Sequence, residues 1–144
     1  MLTETLLRTV QERVCEQNEP AGDPSLPPLT QSPDEIYTLF SAPRRREIVR
    51  YLASELDNGE WVEFGEIAKY VAAQENGKPV DEVTAAERKT VYVAMYQQHL
   101  GVLEEADVLD WDERSGEVTR GRSVDALAEL LKVVETASQQ EDQQ

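Results

Sequence analysis

The chain has 144 residues, 40% hydrophobic and 30% charged, which is enough for one core and excludes a fibrous or membrane-embedded protein or two full domains. Acids number 29 and bases 14, a formal net charge of −15 that repels nucleic acid and anionic membrane in dilute buffer. Lysine is confined to Lys69, Lys78, Lys89 and Lys132. An acid-rich, lysine-poor surface around an ordinary core points to a protein built for molar salt.

Residues 1–17 place Leu6, Val10 and Val14 four apart, with Leu2 and Leu7 on the same side, as an amphipathic helix does. Residues 18–33 carry Pro20, Pro24, Pro27, Pro28 and Pro33 and read as an extended linker. The domain proper spans 34–122. Ser32, Pro33, Asp34 and Glu35 form a cap, an N1 proline and an acidic first turn, followed by Ile36, Leu39 and Phe40 at helical spacing. A second helix restarts after Pro43 with Ile48, Val49, Leu52 and Leu56, and stops at Asp57-Asn58-Gly59.

Trp61-Val62-Glu63-Phe64 alternates like a strand, and Phe64, Ile67, Ala68 and Val71 begin a helix that ends at Asn76-Gly77. Thr84 to Glu87 is a capping box opening the longest helix, to about Glu105, with Val93, Tyr96, Leu100 and Leu103 as its expected apolar side and Tyr92, Met95 and Val102 flanking it. Asp107 is suited to a left-handed stop. Val108–Asp112 and Glu117–Arg120 read as a hairpin around Gly116. A helix over 123–137 opens at the cap Ser123 and carries Val124, Leu127, Leu130, Leu131 and Val134, while residues 138–144, Gln and acid after Ser138, are expected to be disordered.

This order predicts a mainly α fold with a small β-hairpin: a winged helix-turn-helix with N-terminal and C-terminal accessory helices. Leu39-Phe40-Ser41-Ala42-Pro43-Arg44-Arg45-Arg46-Glu47-Ile48-Val49 resembles the opening helix of the ArsR-like winged-helix repressors. Leu103-Glu104-Glu105-Ala106-Asp107-Val108 is similar to their exit into the wing, with Asp107 where they have glycine. Glu87-Arg88-Lys89, Val91-Tyr92-Val93 and Gln97-Gln98-His99-Leu100 look like a haloarchaeal winged-helix domain family of uncharacterised function. The likeness covers about residues 34 to 120 and rests on packing residues, so it implies a fold and no ligand.

In such a fold the helix from Thr84 would enter the major groove and the hairpin tip would touch backbone. The candidate contacts with double-stranded DNA are Lys89, Thr90 and Gln97 on the helix, with Arg114, Arg120 and Arg122 on and after the hairpin. The same face also reads as a plain solvated surface. Arg44, Arg45 and Arg46 are expected to serve intramolecular ion pairs more than DNA, because the start of a helix is a poor place for cations.

Val124, Leu127, Leu131 and Val134, with Leu6 and Val10, are candidates for a homodimer interface, the competing use being core. His99 is expected to be a hydrogen-bonded core residue, and Cys15, flanked by acids, implies no reactivity. Trp111 is expected to pack the hairpin against the body. No catalytic, metal or cofactor motif stands out. The longest apolar run is far below a membrane span and no secretory signal is visible, so the expected location is the cytoplasm. A DNA-binding transcriptional regulator acting as a homodimer is the first expectation; the alternative is a protein-interaction module that keeps the fold without binding DNA.

Overall fold

The computed structural model describes residues 29–142. The expected helix over 1–17, with Leu6 and Val10, and most of the 18–33 linker lie outside them. The described chain is mainly helical, with a small three-stranded antiparallel sheet.

Helix α1 (Pro33–Phe40) starts where Ser32 Oγ accepts the Glu35 amide, and α2 (Pro43–Glu55) starts on a second N1 proline. Strand β1 (Trp61–Glu63) leads into α3 (Phe64–Asn76), which stops at Gly77 with φ 61°. One 3₁₀ turn, Val80–Glu82, precedes α4, a helix over residues 85–105. Its start is the expected capping box: the Thr84 hydroxyl takes the Glu87 amide, and Glu87 returns a carboxylate to the Thr84 amide. Lys78 and then that amide hold the Glu87 carboxyl below its usual range.

Helix α4 ends in a Schellman turn, with Val108 N donating to Leu103 O and Asp107 N to Glu104 O. Asp107 has the left-handed φ of 57° anticipated for it. Strands β2 (Leu109–Asp112) and β3 (Glu117–Arg120) form the hairpin, and β1 adds to its far edge in the order β1-β3-β2.

The inner face of the sheet carries Val62, Val118 and Trp111 in one row, and Phe64 stacks edge-on against both Trp111 and Tyr92. Trp111 thus joins hairpin to helices, as expected. Leu39, Ile48, Leu52, Phe64, Ile67, Met95, Leu103 and Leu109 are fully buried around it.

The last helix, α5 (Val124–Asp142), runs past the boundary expected at residue 137. Glutamine and glutamate have good intrinsic helix propensity, so an apolar pattern is not needed to prolong a helix already started. Arg50 of α2 reaches Glu135 on this helix.

On the outer face of the sheet Glu63, Glu117 and Asp112 stand directly opposite one another across all three strands. Like charges so placed are destabilising, by roughly 0.2–1 kcal/mol for a pair. Glu117→Gln is therefore expected to raise stability in dilute buffer by about 0.5 kcal/mol and to add nothing in molar KCl, where the screening length is roughly 3 Å. Denaturant titrations at both salt levels check it, and an equal effect at both would remove this row as a source of salt dependence.

Candidate nucleic-acid interface

Helix α4 is not a uniform α-helix. Residues Met95–His99 form a π-turn, in which Leu100 N donates to Met95 O five residues back. Each residue of such a turn advances less around the axis, so one residue is accommodated and the buried side is regained beyond it. Val91, Met95, His99, Leu100 and Leu103 are buried as a result, whereas Val93 (41% exposed) and Tyr96 (53%) face outward. This corrects the expected apolar side, which had placed Val93 and Tyr96 inward by assuming a constant α rotation.

The outward side of α4 thus holds Lys89, Thr90, Val93, Tyr96, Gln97 and Gln98. Lys89, Thr90 and Gln97 are together on it, as the sequence led one to expect. The Thr90 hydroxyl donates to Ala86 O one turn back. Arg88 borders the same side; its guanidinium lies over Gly65 of α3, where a Cβ would sit 2.4 Å from Arg88 Nη2. Ala85, Arg88, Lys89 and Tyr92 line a shallow open groove of about 250 Å³. Among the described residues neither Arg88 nor Lys89 has a carboxylate within ion-pair distance.

Arg88, Val93 and Tyr96 were missed from the sequence. One signal could have found them: residues 88–103 are the longest stretch of this acid-rich chain without Asp or Glu.

Of the other expected cations, Arg120 and Arg122 lie away from this face. Arg120 points to the inner side of the sheet, donating to Leu56 O and pairing with Asp125, and its side chain is 9% exposed. It has been drawn into the junction of α2, β3 and α5, which corrects its assignment as a DNA contact. Arg122 is exposed but follows the hairpin base, beside the Asp107 turn at the far end of α4; Lys89 lies 16 residues up that helix, roughly 24 Å away. Arg114 is exposed at the hairpin tip, among Asp112, Glu113 and Glu117.

The arginine triplet behaves differently from expectation too. Arg44 pairs with Glu75, as anticipated. Arg45 and Arg46 turn back instead onto the carbonyl end of α1: Arg45 donates to Thr38 O and Leu39 O, and Arg46 to Phe40 O. The α1 carbonyls are the negative end of a helix, so cations that start one helix are well placed at the end of the previous one.

Val124, Leu127 and Leu131, expected at a dimer interface, are buried in this chain's own core. Their apolar surface is already covered, and that assignment is corrected; Val134 (45% exposed) remains outward beside Val133.

Among the described residues no group of three or more His, Cys, Asp or Glu is placed to hold a metal ion, and no helix is long and apolar enough to cross a membrane. A family model described as a domain of unknown function (DUF7344) matches residues 37–119. The chain belongs to that family. No curated protein and no solved structure matches the chain. The DUF7344 match takes in α2, α3, all of α4 and the sheet as far as Thr119, so the outward face of α4 lies wholly within it.

Proposed function

We propose that the chain is a winged helix-turn-helix DNA-binding regulator, working in molar salt, with α3 and α4 as the helix-turn-helix and β2–β3 as the wing. The observation that carries this is the acid-free stretch of α4 over residues 88–103, whose outward side sets Lys89, Thr90, Val93 and Gln97 along one side of a helix in an otherwise acidic molecule. Lysine holds phosphate, glutamine pairs bidentately with adenine, and a valine methyl meets the methyl of thymine. The pairing of β1 with β3 supports the assignment, since it braces the hairpin beside the start of α3, where Gly116 O accepts the Phe64 amide.

One observation favours a protein partner instead: Arg120 is engaged internally and the hairpin tip is acidic, which leaves few cations for phosphate. Selection from a randomised DNA pool in molar KCl decides. An enriched sequence is expected; Arg88→Ala and Lys89→Ala should then weaken all sequences alike, by about two- to ten-fold, and Gln97→Ala should relax preference at one or two base pairs by about ten-fold. Arg114→Ala, at the tip of the wing, should likewise weaken all sequences alike, whereas Arg122→Ala should change little. If nothing is enriched, DNA recognition is abandoned in favour of a protein partner on the same face.

A further inference from the structure

The one buried histidine of the described chain sits in the π-turn of α4. His99 is 7% exposed, and its Nδ1 lies 3.0 Å from Nη1 of Arg45, itself 9% exposed. Arginine has only donors, so Nδ1 accepts and the imidazole proton resides on Nε2. Three of the other four N–H groups of Arg45 donate to Leu39 O, Thr38 O and Ser41 Oγ, so the guanidinium is anchored to the end of α1. His99 also carries the break in backbone geometry, with φ −115° against −63° at Ala94 and −56° at Leu100. The π-turn is thus tied at its last residue to a fixed point outside the helix.

That turn sets a rotation. Leu100 and Leu103 hold the second half of α4 in the core, and Val91 and Met95 hold the first. Winding the turn into ordinary α-helix would rotate one half against the other by about one residue, roughly 100°. Lys89, Thr90 and Val93 belong to the first half, and Tyr96, Gln97 and Gln98 to the turn itself.

We infer that the Arg45–His99 hydrogen bond is a positioning device for recognition, holding the π-turn that sets how the face bearing Lys89, Thr90 and Gln97 is turned relative to the core-anchored second half of α4. Neither Arg45 nor His99 touches DNA, yet both decide which base edge Gln97 meets; this rests on the DNA-binding function proposed above. Protonation of His99 would remove the acceptor and set a second cation against Arg45. Burial first, then the charges of Arg45 and Arg44, push the His99 pKa down, and no carboxylate opposes them. The neutral imidazole therefore prevails at neutral pH, and the bond is lost only as pH falls below the ordinary histidine range.

The test compares wild type, His99→Leu and His99→Gln by selection from a randomised DNA pool in molar KCl, with ¹⁵N NMR of the imidazole. The expected imidazole is neutral with its proton on Nε2. His99→Leu should lose about ten-fold of the preference that Gln97→Ala relaxes, while affinity for unselected DNA stays within about two-fold. His99→Gln, whose amide oxygen can accept from Arg45, should keep the preference. The wild-type preference should fade as pH falls below the ordinary histidine range and that of His99→Gln should not, a pattern a purely structural histidine would not produce. If His99→Leu fails to fold, this pH comparison alone decides. A proton on Nδ1, an unaltered preference in His99→Leu, or equal pH profiles for wild type and His99→Gln overturns the inference alone; wild type that enriches no sequence overturns DNA recognition and this device with it.

Discussion

Arg45→Met is expected to cost about 3 kcal/mol of stability, a fall in melting midpoint of roughly 10–20 °C. The aliphatic stem is kept, so the loss is that of the guanidinium. Its removal leaves Leu39 O and His99 Nδ1 without their donor in a place that water reaches poorly, while Thr38 O keeps the Ser41 amide and hydroxyl, and each unmet buried acceptor costs about 1–3 kcal/mol. The neighbouring Arg44 supplies the control. Its pair with Glu75 is part-exposed on both sides, and such pairs contribute about 0.2–1 kcal/mol, so Arg44→Met should shift stability by less than about 1 kcal/mol. Denaturant unfolding of both variants in one buffer compares them. Equal effects from the two adjacent arginines would show that Arg45 does not brace the α1–α2 corner.

Gly121→Ala is expected to be at least as damaging, about 3 kcal/mol or more. A Cβ there would lie 2.0 Å from the carbonyl oxygen of Asp107 and 2.7 Å from the carbonyl carbon of Val108. Both are backbone atoms of the Schellman turn and cannot swing aside. Accommodation would part the hairpin exit from that turn, breaking the bonds from Gly121 N to Val108 O and from Ser123 N to Asp107 O. Gly101 offers the contrast: nothing stands within 4 Å of its would-be Cβ, and it lies inside a helix, so Gly101→Ala should stabilise by about 0.5–1 kcal/mol. Urea midpoints of the two variants test this. A Gly121→Ala protein within about 1 kcal/mol of wild type would mean that the close approach is not needed for the fold.

The same division separates what could be read from the sequence and what could not. Ser32, Pro33, Pro43, Thr84 with Glu87, Gly77 and Asp107 each act within a turn of their own position, through a cap, a fixed φ or a left-handed stop. Local chemistry of this kind needs no tertiary partner, so the order of helices and hairpin and most of their boundaries were legible from residue types alone. Lys89, Thr90 and Gln97 were likewise legible as a polar side of one helix, and the alternation of Trp61 to Phe64 announced a strand.

What the tertiary structure decided is where side chains with long reach or ambiguous faces end up. The π-turn owes its place to the burial of Met95, His99, Leu100 and Leu103 together, a demand of the surrounding core that a wheel of constant rotation cannot contain. Arg45 and Arg120 were misjudged because their acceptors, Leu39 O and Leu56 O, belong to other elements brought near only by folding. Val124, Leu127 and Leu131 form a stripe that suits a core or a second copy equally well, and the packing of α5 on α2 settles it for the core. Short-range hydrogen bonding is written residue by residue, whereas burial is a property of the whole packed chain, which is why the caps were visible in the sequence and the facing of α4 was not.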